Sequence, residues 1–371
     1  MAMKFVVGAL TIPTNQTIYA GSGDDYISTA GGNDHIYAGN GNNVIEAGEG
    51  NNRIYAGFGY DYISAGAGDD QIYAGDGGST IFAGAGNNKV YTGTGYDWVY
   101  AGDGNDIISV GDGGSSIEVG GGTNIIYAGM GDDVVNAGNG NDLIAVGEGN
   151  NYVNAGGGDN TVSAGAGSDC IDTGTGNDTI YAGEGSNTVR AGDGHNKVYS
   201  GASNDFIFMG NGDDLIYGGE GQNYIDAGNG RNKIYSGASH DFIIAGYDDD
   251  LIYGGEGSNH IHAGAGNNTI YSGAGSDRIS TGSGNDLIYA GEGNNLIATG
   301  TGFDTVYVGS GFDQFSLSAG LGAVTIYGFQ ASQDSFIGAG SLSFSFSGND
   351  TLVYLNSSGD LLAIVKDIRL V

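Results

Sequence analysis

The sequence predicts an all-β fold, a parallel solenoid of 18-residue coils with two strands per coil and a β-rich cap at the C terminus. A nine-residue unit recurs thirty-three times from Gly21 to Leu317 without an insertion or deletion. Ile or Val occupies position seven of the first thirty-two units, and Phe315 that of the last. Glycine accounts for 77 of the 371 residues, and Pro13 is the one proline. Such a short fixed period requires every unit to adopt one backbone shape and to stack on its neighbours.

Each unit contains one predicted strand and one predicted turn. The pattern is Gly-x-Gly-x-(Asp/Asn)-x-(Ile/Val)-x-small, as in GDGNDIISV at 102–110. Side chains alternate along a strand, so positions seven and nine face one side and positions six and eight the other. Gly accepts positive φ and Asx stabilises such turns, which predicts a turn at positions one to five. Gly holds position three in all units except those with Ser203, Ser239 and Asp248.

Two units then make one coil with two facing parallel sheets, and unit n stacks on unit n+2. We predict an N-terminal cap over 1–20, the solenoid over 21–317 and a C-terminal β cap over 318–371.

Charge and cysteine content restrict the function. The formal net charge is −33, from 43 acidic residues against 10 Lys and Arg. This charge argues against nucleic acid as a partner, and self-repulsion favours bound cations. Cys170 is the one cysteine, so no internal disulfide forms. No stretch reaches the roughly 18 apolar residues of a membrane helix, so no membrane insertion is predicted.

Position five carries a second period. It is Asp in eighteen units, Asn in thirteen and Ser in two, and it runs Asp-Asp-Asn-Asn along most of the chain. Coils with two Asp therefore alternate with coils that have Asn or Ser. The full repeat is 36 residues long, and the blocks 200–235 and 236–271 are identical at 25 of 36 positions.

The units closely resemble the RTX nonapeptide, Gly-Gly-x-Gly-x-Asp-x-(large apolar)-x, over about four-fifths of the chain. One departure is systematic, because the first Gly of that motif is usually Ala here, as at Ala101. The tail from Val324 to Val365 resembles the C-terminal modules of cyanobacterial RTX proteins. The resemblance implies a calcium-bound parallel β-roll and an extracellular, cell-surface location. It also implies export by type I secretion machinery through an uncleaved signal in 318–371.

Calcium coordination suits these turns, because calcium takes six to eight oxygen ligands, many of them carbonyls. By the resemblance, the turn Gly and x residues supply main-chain carbonyls to multiple calcium ions, and the position-five Asp residues supply carboxylates. These Asp residues are Asp25, Asp34, Asp61, Asp70, Asp97, Asp106, Asp133, Asp142, Asp169, Asp178, Asp205, Asp214, Asp241, Asp250, Asp277, Asp286, Asp304 and Asp313.

Two interpretations of the Asp and Asn alternation compete. In the first, every space between stacked turns binds calcium with one carboxylate, or only alternate spaces fill, with weak affinity of about 10⁻⁴–10⁻³ M. In the second, Asn amides donate to Asp carboxylates in a ladder that needs no metal. Acids at position two could assist calcium binding in the Asn and Ser units. They are Asp76, Asp112, Glu148, Glu184, Glu220, Glu256 and Glu292.

A row of tyrosines occupies position eight on one sheet. It can reflect strand propensity and stacking of like residues, or it can be a docking strip for polysaccharide or for another copy of the chain. Its members are Tyr37, Tyr55, Tyr73, Tyr91, Tyr127, Tyr181, Tyr199, Tyr217, Tyr235, Tyr253, Tyr271, Tyr289 and Tyr307.

The sequence has no His-Glu-x-x-His, Gly-x-Ser-x-Gly or P-loop motif, so no enzyme is predicted. We expect a secreted calcium-binding protein, folded by calcium, that serves as a structural or cell-surface element. The alternatives are an adhesin or glycan-binding module that uses the tyrosine row, and a calcium-independent structural protein or filament subunit.

Overall fold

Stacked parallel strands form the whole repeat region. The computed structural model describes residues 4–7, 14–320, 322–338 and 340–370. These residues form two units, Met1–Arg190 and Ala191–Val371. Each unit is a parallel β-solenoid, which confirms the predicted fold class. Of the predicted N-terminal cap, residues 1–3 and 8–13 lie outside the described part. Among the described residues no helix is long and apolar enough to span a membrane.

Short strands, mostly of three to five residues, recur throughout the first unit. They are β1 (Lys4–Val7), β2 (Thr17–Tyr19), β3 (Asp25–Ser28), β4 (His35–Tyr37), β5 (Val44–Glu46), β6 (Arg53–Tyr55), β7 (Tyr62–Ser64), β8 (Gln71–Gly75), β9 (Thr80–Gly84), β10 (Lys89–Thr92), β11 (Trp98–Ala101), β12 (Ile107–Ser109), β13 (Ser116–Glu118), β14 (Ile125–Tyr127), β15 (Val134–Asn136), β16 (Leu143–Gly147), β17 (Tyr152–Asn154), β18 (Thr161–Ala164), β19 (Cys170–Asp172) and β20 (Thr179–Gly183). The boundary between the units falls within β21 (Thr188–Gly192).

The second unit continues the same pattern and ends in longer strands. Its strands are β22 (Lys197–Ser200), β23 (Phe206–Met209), β24 (Leu215–Tyr217), β25 (Tyr224–Asp226), β26 (Lys233–Tyr235), β27 (Phe242–Ile244), β28 (Leu251–Tyr253), β29 (His260–Gly264), β30 (Thr269–Tyr271), β31 (Arg278–Thr281), β32 (Leu287–Gly291), β33 (Leu296–Ala298), β34 (Thr305–Val308), β35 (Gln314–Ser316), β36 (Val324–Tyr327), β37 (Ser335–Ile337), β38 (Leu342–Ser347), β39 (Asp350–Leu355) and β40 (Leu361–Val365).

Within each unit every repeat strand pairs in parallel with the strand two places later, so odd and even strands form separate sheets. The register is 18 residues, as in the pairing of Ile54 with Ile72 on the even side and of Ile225 with Ile243 on the odd side. This register confirms that one coil contains two nonapeptides.

The core is a ladder of aliphatic side chains. From Ile27 to Phe315 the position-seven side chains are at most 1 % exposed, and position nine adds small buried residues such as Ala56 and Ala245. Burying one Ile or Val contributes roughly 1.5–3 kcal/mol, so these ladders are the main apolar stabilisation of each coil.

The turns require positive φ at position three. Gly230 has φ of 121°, and a Cβ there would lie 2.1 Å from the carbonyl oxygen of Gly212 in the preceding coil. The three units that lack Gly at this position keep the conformation, because Ser203, Ser239 and Asp248 all have positive φ. One backbone shape is thus imposed even where the residue disfavours it.

The C-terminal strands cover the end of the even sheet in the second unit. β40 pairs in parallel with β36, and the hairpin of β38 and β39 adds to β40 in antiparallel fashion. The last repeat strand on the even side, β34, pairs in parallel with β36. It therefore has a hydrogen-bonded neighbour on its outer edge, which protects it from pairing with another chain.

Candidate metal centre

The position-five side chains lie inside the turns. All thirty-three, from Asp25 to Asp313, are at most 2 % exposed. The neighbouring Ile or Val at position seven points into the same interior, so each carboxylate or amide lies at the end of the apolar core. A charged group in such a place is costly unless it is paired.

A hydrogen-bonded ladder connects these side chains from coil to coil. The backbone N–H of Asn223 donates to Oδ1 of Asp241 at 2.8 Å, and the N–H of Asp241 donates to Oδ1 of Asn259 at 2.9 Å. The ladder predicted from the sequence had Asn amides as donors, whereas backbone amides fill that role here. A contact of the predicted kind joins Nδ2 of Asn268 to Oδ1 of Asp286, at 3.0 Å.

The Asn side-chain amides instead donate to main-chain carbonyls of the turns. Nδ2 of Asn52 lies 3.1 Å from the Gly48 oxygen, 2.9 Å from the Gly50 oxygen and 3.0 Å from the Ala65 oxygen. Gly48 and Gly50 belong to its own turn, and Ala65 immediately precedes the turn stacked on it. Three carbonyl oxygens therefore converge on one point between two stacked turns.

An Asp side chain has no hydrogen-bond donor to place where the three carbonyl oxygens converge. Their Oδ1 atoms accept from the backbone as those of Asn do, but their Oδ2 atoms are buried and have no hydrogen-bond partner. This holds for Asp25, Asp34, Asp61, Asp70, Asp97, Asp106, Asp133, Asp142, Asp169, Asp214, Asp241, Asp250, Asp277, Asp286 and Asp313. A buried carboxylate oxygen without a donor needs a cation or a proton.

The pKa values of these carboxyl groups reflect the same situation. Burial raises the pKa of Asp61 to about 6, of Asp70 to about 7 and of Asp250 to about 8. The backbone N–H bond to each carboxylate lowers the pKa, but less than burial raises it. Without a cation, the turns therefore disfavour the charged carboxylate.

The oxygen ligands available in these turns suit calcium. In the described part of the chain, no three side chains of His, Cys, Asp or Glu come together as a ligand cluster. A metal in these turns would therefore take most of its ligands from carbonyls, together with single carboxylates. Calcium accepts such an oxygen set, whereas zinc favours imidazole and thiolate.

The acids at position two lie outside this interior. All seven are exposed. The carboxylates of Asp76 and Asp112 accept the backbone N–H of Thr94 at 2.9 Å and of Met130 at 3.2 Å, and Glu292 accepts that of Ser310 at 3.0 Å. Their observed contacts are therefore hydrogen bonds to the next coil at the surface of the turn.

A second ladder, at position four, was not predicted from the sequence. Asp24 Oδ1 accepts the N–H of Asn42 at 2.8 Å, and Asn267 Oδ1 accepts that of Asn285 at 2.9 Å. Position-four side chains thus accept from the following coil, whereas position-five side chains accept from the preceding one. The frequent Asx at position four was the signal for it.

The tyrosine row forms two runs of stacked rings. Neighbouring rings in Tyr19–Tyr91 and in Tyr199–Tyr327 are 4.8–5.2 Å apart and within 11° of parallel. Tyr127 instead lies between Ser109 and Ala145 in the sheet register. Inside a run both faces of a ring contact neighbouring tyrosines. A sugar could therefore not stack on a ring inside a run, because such a ring offers only its edge and its hydroxyl.

Comparison with known proteins agrees with this geometry. The model of the RTX calcium-binding nonapeptide repeat matches in successive segments between residues 13 and 315. A search of curated proteins finds no match to the chain. The repeats together with the β-roll fold are those of a calcium-binding structural protein. The chain therefore belongs to the family of RTX calcium-binding nonapeptide repeat proteins.

Proposed function

We propose that this protein is secreted, that calcium held between its stacked Gly-x-Gly-x-Asp turns drives its folding, and that it acts as a structural or cell-surface element. The unpartnered, buried Oδ2 atoms of the fifteen position-five Asp residues named above carry the proposal. These Asp residues would hold the ions together with carbonyls of the turn glycines. Bound calcium supplies the positive charge that the buried carboxylates need, so its binding free energy becomes folding free energy.

The charge of the chain supports calcium as the trigger of folding. A formal net charge of −33 opposes compaction in a compartment that is poor in calcium. Outside the cell, ions that bind the folded chain reverse that balance. The chain would thus stay extended for export and fold afterwards.

The test is a calcium titration of the full chain, followed by circular dichroism and by small-angle scattering. We expect the calcium-free chain at about pH 7.5 to have little β signal and a large radius, because each ion adds about 1.4–2.7 kcal/mol at ten to a hundred times Kd. The sum over many ions exceeds the usual 5–15 kcal/mol of net stability. Magnesium at equal concentration is the control and should not restore the fold, since it demands a smaller octahedral site. An unchanged β spectrum and melting temperature in excess chelator would favour the metal-independent ladder.

Export is tested separately. Residues 318–371 fused to a reporter should direct its secretion from a host that carries type I machinery, and the same fusion without these residues is the control. Retention of both fusions in the cell would argue against the secretion part of the proposal.

A further inference from the structure

The Asp and Asn turns differ in one atom at the point where three carbonyls converge. In both, Oδ1 accepts a backbone N–H from the preceding coil: Asp214 donates to Asn232 at 3.0 Å, and Asn232 donates to Asp250 at 2.8 Å. Because both side-chain groups are planar, fixing Oδ1 directs the remaining atom to the equivalent place. That atom is Nδ2 in Asn and Oδ2 in Asp.

The Asn amide satisfies the carbonyls at this place. Nδ2 of Asn232 donates to the Gly230 oxygen at 3.0 Å and to the Ala245 oxygen at 3.2 Å. Asn43 and Asn223 make the corresponding bonds to Gly41 and Gly221 at 3.0 and 3.3 Å. The amide hydrogens thus supply the positive charge that an ion would otherwise supply, and an ion at the same place would collide with the NH₂ group.

We infer that the Asn side chain replaces the ion in its turn, so that calcium is confined to the Asp turns and metal-free coils alternate with calcium-binding coils. This inference rests on the proposed calcium function. It predicts about one ion for each of the eighteen position-five Asp residues rather than one for each of the thirty-three turns.

The net charge favours the smaller number. Eighteen divalent ions would carry about +36, which nearly balances the formal charge of −33. An ion in every turn would instead leave the folded chain about as positive as it is negative without calcium. Only the binding of about eighteen ions would relieve the electrostatic self-repulsion of the chain.

The test counts bound calcium by equilibrium dialysis with metal analysis, on the full chain and on three variants. Asp241→Asn with Asp250→Asn converts one Asp coil into an Asn coil. Asn223→Asp with Asn232→Asp makes the reverse change in the coil before it. Asn229→Asp is the control, because it adds a carboxylate at an exposed position of the same turn as Asn232.

We expect about eighteen ions in the unmodified chain, two fewer in the Asp→Asn variant, two more in the Asn→Asp variant and no change in the control. The Asp→Asn variant should also need less calcium to fold, because amides replace two unpartnered carboxylate oxygens. A count near one ion per turn, or an unchanged count in the Asp→Asn variant, would overturn this inference and leave the proposed calcium function standing. A chain that binds no calcium would overturn the proposed function itself.

Discussion

An Asn coil and the Asp coil stacked on it have the same turn backbone but different side-chain chemistry inside their turns. The coil of Asn223 and Asn232 closes its turns with amide hydrogens on carbonyl oxygens, whereas the coil of Asp241 and Asp250 leaves two buried carboxylate oxygens without a donor. Both coils share the strand register and the backbone-to-Oδ1 bonds. The comparison shows that the amide hydrogens present in the Asn turns have no counterpart in the Asp turns, which is where the proposed calcium ions would bind.

The backbone common to both kinds of turn gives the largest expected effect. Gly212 precedes Asp214 and Gly230 precedes Asn232, both with positive φ, and a Cβ at either position would lie 2.0 or 2.1 Å from a carbonyl oxygen. Gly212→Ala and Gly230→Ala should each destabilise the protein by at least about 4 kcal/mol, because strained φ and overlap add. Thermal melting in saturating calcium measures this, with Lys233→Ala on an exposed strand position as control. A much smaller cost at Gly212 would show that the two turns differ in backbone as well as in side chain.

Replacing a position-five side chain with Ala should lower the free energy of unfolding by about 3 kcal/mol. The calcium dependence of this loss should distinguish an Asn turn from an Asp turn. Asn232→Ala removes an acceptor for the Asp214 N–H and donors to two carbonyls, so its cost should not depend on calcium. Asp250→Ala removes an acceptor for the Asn232 N–H and an ion ligand, so its cost should grow with calcium. Melting temperatures at two calcium concentrations, both high enough to fold the unmodified chain, measure the difference. Equal calcium dependence of the two variants would contradict the assignment.

Acid should partly replace calcium in the Asp coils. The pKa values of Asp241 and Asp250, raised to about 6 and about 8, exceed the unfolded value of about 3.9. The folded state therefore binds more protons than the unfolded state in this range. The contribution of these two groups to the stability of the calcium-free chain is fully present below about pH 3.9 and is lost as pH rises towards 8. Circular dichroism of the calcium-free chain should therefore show more β structure at about pH 4 than at about pH 7.5, and this difference should be smaller in the variant with Asp241→Asn and Asp250→Asn. A calcium-free chain with more β structure at about pH 7.5 than at about pH 4 would contradict the raised pKa values.

The fold could be predicted from the sequence because all the nonapeptides share one pattern, so the strand and turn assigned to one unit apply to the others. Position seven is Ile or Val in all units but the last, and position three is Gly in all but three. The positive φ at Ser203, Ser239 and Asp248 shows how strongly the neighbouring coils impose that shape.

The hydrogen bonds inside the turns could not be predicted in the same way. The repeat places Asp and Asn on the same stack, but it does not specify whether Asn52 donates to a carboxylate or to Gly50. That choice depends on the backbone N–H groups that already occupy Oδ1. The position-four ladder was missed because a recurrent surface Asx is equally compatible with a solvated turn.

The opposed directions of the two ladders limit how such a chain can change in length. Within each unit, many junctions between coils are held by acceptors from both partners, as Asp24 with Asn42 and Asp25 with Asn43 illustrate. Losing or gaining a few residues would break both sets at once. Whole coils are the smallest unit that can be inserted or deleted, and only pairs of coils preserve the alternation of Asp and Asn. Length in this family member is therefore expected to evolve by duplication in 36-residue steps, and the similar blocks 200–235 and 236–271, identical at 25 of 36 positions, have the form such a duplication leaves.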